Sequence, residues 1–437
     1  MKPTLAAVLQ QHGGAYLRAH TLSTAQAKAW RAICACRSAA LGGQLLACND
    51  CGHSHWQYHS CRNRHCPTCG ARTKEAWLQA RVAQVLNVPY THLVFALPHE
   101  FNALYRQQPR AVIDALFASV AQTLNSFAAN PRWMGVAGGQ AAFTLVLHTW
   151  SQDLGLHIHL HAIMACGVLA QGVGEDVAQW HTPLKRADYL FPTRALSQVW
   201  RGKFMDRVRP LLHGHATQGE QAEMGQPTRV ALVPKDMRAL WHKNWVVYAK
   251  TPLGGAAQVL AYLSRYTHRT AIGNERIRSI SDTQVVFTAR AKAGNGAGVQ
   301  STGQEGKQKR RVQLTGEEFI RRFMQHILPT GLKRIRHYGL LANPAGHRLA
   351  QARAALNMPV SNPVATECAQ AFMQRVARVQ IRQCPACEHG QLVVVQVLAG
   401  AKRLPAPGPE QPLRLDSDTQ GLQAWLRQNR PHTRAPP

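Results

Sequence analysis

Acidic residues are scarce: the 437-residue chain has 22 Asp plus Glu against 51 Lys plus Arg, a formal net charge of +29. Self-repulsion on that scale needs an offset, which excludes a merely soluble basic protein and makes a polyanion the expected partner. The sequence also lacks a long uncharged apolar run and a basic amphipathic anchor, so nucleic acid is expected rather than a membrane surface. The amino terminus, MKPTLAAVLQQHGGAYLRAH, has no signal-peptide core or cleavage site, and a cytoplasmic chain is the expectation. No internal repeat is evident, which argues against a solenoid or propeller.

What is present supports real cores. Apolar residues make up 45% of the chain, enough for two or three domains. Residues 1 to 40 read as helical, with apolar positions at helical spacing around TAQAKAWRAICACRSAAL. A cysteine-rich segment follows, and the helical ARTKEAWLQARVAQVL leads out of it. Strand-like runs then recur, THLVFALP, AAFTLVLHTW, LHIHLHAIMACG, TRVALVP and TQVVFTARA, separated by helical stretches such as PRAVIDALFASVAQTLNSFA. The pattern is α+β. The Gly- and Gln-rich stretch from Ala293 to Lys307 reads as a mobile loop, and the segments LPAPGPEQPLRL and RPHTRAPP read as linker and tail. The expected division is a helical and metal-binding unit at 1–90, a catalytic unit at 91–345, and a basic Pro- and Ala-rich region at 346–437.

Cysteine usage points to metal. Seven of the 11 cysteines lie between Cys34 and Cys69, mostly in C-x2-C spacing, which in a reducing compartment favours an ion over disulfides. Cys48 and Cys51, then Cys66 and Cys69, form two such pairs, and together they predict a closed tetrahedral zinc site of ribbon type. Cys61, His59 and His65 are candidates to replace a ligand or to bind a second ion. Arg62, Arg64 and Arg72 beside the cluster suit phosphate contact. A further pair, Cys384 and Cys387, has no evident partner in the sequence.

Two other patterns carry chemistry. In LGLHIHLHAIMACG, His157, His159 and His161 alternate with apolar residues, so on a strand they share one face while Ile158, Leu160 and Ala162 occupy the other. Aligned imidazoles suit a metal, whereas a solvated polar face is the simpler alternative. In VLAYLSRYTHRTAIGNERIR, Tyr262 and Tyr266 stand four apart on an expected helix and so share a face, with Arg265, His268 and Arg269 around them. Such a pair commonly serves packing. Beside a histidine strand and a large basic charge it also fits attack on a DNA phosphorus.

The stretches SCRNRHCPTCG, HLVFALPHEFN, LHTWSQDLGLHIHLHAIM, VVYAKTPLGG, YLSRYTHRTAI, EEFIRRFMQHILP and RIRHYGLLAN, in that order between about Leu41 and Ala342, resemble the HUH-type two-tyrosine rolling-circle transposases of the insertion-sequence-91 type. The resemblance implies a central antiparallel sheet flanked by helices, and a histidine–hydrophobe–histidine element at His159, Leu160 and His161, with His157 just before. Members often have proline where Ile158 stands here. It further implies that Tyr262 and Tyr266 are nucleophiles, that Mg2+ or Mn2+ is held by the histidines, and that single-stranded element ends are cut and rejoined through 5′-phosphotyrosine. For the third metal ligand, a β-hairpin turning near Asp153 would bring His148 opposite His159, a pairing that a one-residue slip removes; His157 and Gln152 are the other candidates. Arg334, Arg336 and His337, with the KQKRR run, are further expected phosphate contacts. A plasmid replication initiator or relaxase would use the same chemistry. A non-catalytic zinc regulator would need neither histidines nor tyrosines.

Overall fold

The computed structural model describes residues 2–82, 84–171, 177–185, 190–212, 234–253, 258–259, 269–290, 309–359, 367–377 and 380–401. The chain begins with two helices, α1 (Leu5–Ala19) and α2 (Thr24–Ala35), followed by a hairpin of β1 (Gly43–Cys48) and β2 (Ser54–Tyr58) and by helix α3 (Ala71–Val82). Next come β3 (Tyr90–Ala96), α4 (Asn102–Gln107), α5 (Pro109–Ala128), α6 (Pro131–Met134), β4 (Ala142–Trp150), β5 (Leu156–Ala165), β6 (Val168–Ala170) and β7 (Gln179–His181). After them run α7 (Thr193–Leu212), α8 (Pro234–His242), β8 (Val246–Leu253), β9 (Ile277–Ile280), β10 (Gln284–Arg290), β11 (Lys309–Thr315), α9 (Gly316–Met324), β12 (Ile335–Gly339), α10 (Gly346–Ala355), α11 (Ala369–Ala377) and β13 (Leu392–Leu398). The mixture is α+β, as the sequence pattern predicts. The expected strand TRVALVP lies outside the described residues but for its last, Pro234, which opens α8; the glycine-rich loop and the Pro-rich tail also lie outside them.

A five-stranded sheet in the order β12-β4-β5-β3-β8, antiparallel throughout, carries the candidate site. Alternation along β5 sorts its side chains. Ile158, Leu160, Ala162 and Met164 enter a large core with Val112, Leu116, Phe117, Val120 and Leu124 of α5 and Leu196, Trp200, Phe204 and Met205 of α7. Each of the Val, Leu, Ile, Phe and Met side chains among them contributes about 1.5–3 kcal/mol by leaving water. Pro109 starts α5 at its first turn, where a missing N–H costs nothing. That helix is long and apolar enough to cross a membrane, and most of it is buried in this core. The opposite sheet face is split: Ile163, Ala165, Tyr90 and Ala142 pack under Val85, Leu86 and Ala352 at one end, and the histidines occupy the other.

A second core joins distant parts of the chain. Sheet β11-β10-β9 and α9 supply Val285, Phe287, Phe319, Ile320 and Phe323, and α1 and α2 supply Leu5, Val8, Leu9, Trp30 and Ile33. Both amino-terminal helices are locally specified: Thr4 caps α1 by accepting from the Ala7 N–H, and Ser23 with Gln26 forms a capping box on α2. A third, small sheet has the order β13-β1-β2, so a strand from the carboxy-terminal region completes the amino-terminal hairpin.

Candidate metal centres and DNA-processing site

Register places the histidines together. The β4–β5 hairpin pairs His148 with His159 and Val146 with His161, so the third histidine comes from the neighbouring strand on the same face. Ligand nitrogens of His148, His159 and His161 all lie within 4.8 Å of one another, and the three side chains are buried. His157, at the strand's exposed start, is outside this group, although its ring centroid is 4.7 Å from that of His159. Gln152 lies in the turn between β4 and β5.

Hydrogen bonds orient the rings. His159 Nδ1 lies 2.9 Å from the His157 carbonyl oxygen, which can only accept, so Nδ1 carries the proton and Nε2 keeps its lone pair. His161 Nε2 and His148 Nδ1 are 3.1 Å apart, two ring nitrogens that must share a proton or a cation. On its other side, His161 Nδ1 meets His92 Nε2 at 2.8 Å. Burial holds His159 down to about 4, helped by His157, and holds His92 down to about 3, helped by Lys250. Burial also depresses His161, with His148 next. At neutral pH these imidazoles are uncharged, the state a metal requires. Three imidazole donors on a rigid sheet fit a divalent ion.

His92 was not legible as part of a site. It sits in THLVFALP, whose pattern says only strand, and its role depends on the β3–β5 pairing. His326 is buried behind Trp150, with Nε2 3.0 Å from the Leu154 carbonyl and Nδ1 3.2 Å from Thr149 Oγ1.

Tyr262, Tyr266 and Arg265 lie outside the described residues. The arginines expected to hold phosphate have varied surroundings. Arg62 is exposed. Arg64 donates to the carbonyls of Leu332 at 2.6 Å and Pro329 at 3.3 Å. Arg334 is buried and donates to the Arg269 carbonyl at 2.9 Å. Arg336 departs from expectation. It pairs across β12 with Leu145, on the face opposite the histidines, where it meets Asp114 at 2.5 Å and lies 4.1 Å over the Phe117 ring. His337, half-buried on the histidine side, bonds Thr144 Oγ1 at 2.8 Å.

The four cysteines expected to share one ion do not meet. Cys48 and Cys51 stand at the turn of the β1–β2 hairpin, whereas Cys61, Cys66 and Cys69 follow its open end, roughly 17–20 Å away for strands of this length. Cys66 and Cys69 cluster instead with Cys61 and with Cys36, which caps the carboxy end of α2; the Cys61 and Cys69 sulfurs are 3.4 Å apart. Cys48 and Cys51 cluster with Cys384 and Cys387. In the first cluster, hydrogen bonds from the Cys61 and Cys66 thiols draw Cys36 down to about 4, and the bond with Cys36 pushes Cys61 up. Four thiolates cannot coexist there without a cation. The donor set is that of structural zinc.

A strongly basic chain with two four-cysteine clusters and a buried imidazole triad has the makings of a metalloprotein that handles nucleic acid. Comparison with known proteins narrows the class. Residues 142–348 match a family described as "Putative transposase", and residues 8–97 match the "Transposase zinc-binding domain" of the IS91 type. "Putative transposase y4qJ" of Sinorhizobium fredii (strain NBRC 101917 / NGR234) is 37% identical over 403 residues, 91% of this chain and 96% of the relative. "Transposase for insertion sequence element IS801" of Pseudomonas savastanoi pv. phaseolicola is 27% identical over 341 residues, 75% of this chain and 73% of the relative. No solved structure matches. The chain belongs to the insertion-sequence-91-type transposases.

Proposed function

We propose that this transposase nicks and rejoins single DNA strands at insertion-sequence ends, with Tyr262 and Tyr266 as nucleophiles and His148, His159 and His161 as ligands of a catalytic Mg2+ or Mn2+. The observation that carries the reading is the buried cluster of three imidazoles on one sheet face. Further support comes from the described flanks of the tyrosine segment. Val259 is buried in the cluster that contains Ile163 and Ala165, on the histidine side of the sheet. Arg269 receives the Arg334 hydrogen bond, and its charge adds to the depression of His161. The expected catalytic stretch, 91–345, contains every group named in this reaction.

In the proposed step a tyrosine oxygen attacks the scissile phosphorus, the bond to the 3′ oxygen breaks, and a 5′-phosphotyrosine and a free 3′-hydroxyl result. The phosphoester energy is kept for rejoining, and the second tyrosine can hold a second end. A bound divalent ion would withdraw charge from the phosphate. The protein's part is to hold the imidazoles neutral and oriented, through the His157 carbonyl and His92, and to supply positive potential around the cut strand.

Replacing tyrosine by phenylalanine removes one oxygen and keeps the ring. The Tyr262→Phe/Tyr266→Phe double variant should lose all covalent attachment to single-stranded element ends while retaining fold, zinc and DNA affinity. Each single variant should still form some adduct and fail in complete strand transfer. Mass spectrometry of the nucleotide-bearing tryptic peptide is the measurement. An adduct on Tyr338, or full activity in the double variant, overturns the assignment.

A further inference from the structure

Two cysteine pairs from opposite ends of the chain meet at the ribbon. We infer that Cys48, Cys51, Cys384 and Cys387 hold a second structural zinc, separate from that of Cys36, Cys61, Cys66 and Cys69, and that this ion fastens residues 380–401 into the amino-terminal ribbon. Neither matching family reaches this segment, since one match ends at residue 97 and the other at residue 348. The sulfur separations fit an ion. Cys48 to Cys387 and Cys51 to Cys384 are each 3.7 Å. Four sulfurs about 2.3 Å from a central zinc stand about 3.8 Å apart in a tetrahedron, whereas a disulfide needs about 2.05 Å.

The backbone is arranged for the same purpose. The Asp50 N–H donates to Cys48 Sγ at 3.4 Å, the Ala386 N–H to Cys384 Sγ at 3.4 Å and the Gly390 N–H to Cys387 Sγ at 3.3 Å, bonds that steady thiolate ligands. At Gly390 a Cβ would lie 2.3 Å from Cys48 Sγ, so the close approach of the two knuckles depends on glycine. Strand β13 follows at once and pairs with β1 from Gly43 opposite Leu398 to Cys48 opposite Leu392. The buried apolar cluster of this module is Leu46, Cys48, Cys384 and Leu392, two of them ligands. A core that small does not hold two strands together in water, and the ion supplies the folding free energy.

The test uses the full chain. Elemental analysis should give two zinc ions per chain for the parent and one for Cys384→Ser/Cys387→Ser. Alkylation of the native parent should spare Cys384 and Cys387 until zinc is stripped, with the modified peptides located by mass spectrometry. This second measurement decides the matter even if the double variant does not fold. One zinc per chain in the parent, or alkylation of Cys384 and Cys387 while Cys61 and Cys66 stay protected, overturns the inference.

An independent observation concerns β8. Val246, Tyr248 and Lys250 pair with Ala96, Val94 and His92 of β3, and these pair in turn with His159, His161 and Ile163 of β5. All lie on the histidine face. Val246 and Tyr248 are 61% and 53% exposed, and among the described residues Val94 and Ala96 stand between them and the histidines in the register. We propose that Tyr248 and Lys250 form a track for an unpaired DNA strand, Tyr248 stacking on a base and Lys250 meeting a phosphate. An exposed ring beside a cation on a sheet is suited to base faces, which a duplex hides, and the +29 charge of the chain favours the polyanion over an apolar peptide.

This proposal rests on the histidine face as the cleavage site, and the test separates the two. Oligothymidylate binding is measured by fluorescence anisotropy without added Mg2+ or Mn2+, so that no cleavage intervenes and the structural zinc is kept. Tyr248→Ala should weaken binding about tenfold or more, and Tyr248→Phe should match the parent. Lys250→Met should lower the salt slope by about 0.7. Parental binding by Tyr248→Ala, or an equal loss for duplex DNA, overturns the track, whatever the histidines do. Loss of binding by Tyr248→Ala together with unimpaired cleavage by His159→Ala would leave the track standing and remove the cleavage reading instead.

Discussion

At His159 one backbone carbonyl decides what the side chain can do. Because the His157 oxygen accepts a hydrogen bond from Nδ1–H, Nε2 faces its neighbours as a lone pair, and the ring is ready to ligate before any ion arrives. His159→Ala and His161→Ala should therefore bind element DNA nearly as well as the parent, yet cleave it at least about 100-fold more slowly, an effect equal to a few kcal/mol of barrier. Paired gel-shift and cleavage assays, with chelator as a mimic, check this; full cleavage by both variants in EDTA would remove the metal role. His326 makes a different prediction. Burial holds it down to about 4 in the folded chain, against about 6.5 when unfolded. Between those values the unfolded chain binds more protons, so stability present above pH about 6.5 is lost as pH falls toward about 4. The melting temperature should drop over that window, and less steeply in His326→Gln; equal acid slopes would show that other groups control it.

At the scale of elements, β5 does two jobs with its two faces. Leu160 is fully buried in the main core, so Leu160→Ala should cost about 2–5 kcal/mol, read as a lowered denaturation midpoint, and should reduce activity only through loss of folded protein. The strand was legible from its alternation, whereas the sequence left His148, His157 and Gln152 open as the third ligand, because only the hairpin register, which pairs His148 with His159, separates them. The cysteine partners were not. Every C-x2-C pair looks alike locally, and what separates them is the length of the β1–β2 hairpin and a strand more than 330 residues away in the sequence. Arg336 misled for a related reason: a basic run near a strand says nothing about which face each residue takes, and here the core side holds Asp114 to receive it. His92 needed a third strand to be seen. The tyrosine pair rests on sequence pattern and resemblance.

For the whole molecule, charge sets the binding behaviour. A chain of net charge +29 should release many counterions from DNA, so affinity should fall by about 1,000-fold or more between 50 and 200 mM salt, with a log–log slope of about −5 or steeper. A shallow slope would mean that few of the Lys and Arg side chains touch phosphate. The joining of distant segments also bears on how the protein is made. Strand β1 waits for β13, and α1 and α2 wait for α9, because the partners lie 344 residues beyond Cys48 in the one case and near residue 320 in the other. At about 5–20 residues per second, roughly 20–70 s of translation separate the hairpin from the strand that completes it. A nascent or prematurely terminated polypeptide therefore carries the histidine strands without a finished ribbon, and the enzyme is assembled only as its last described strand leaves the ribosome.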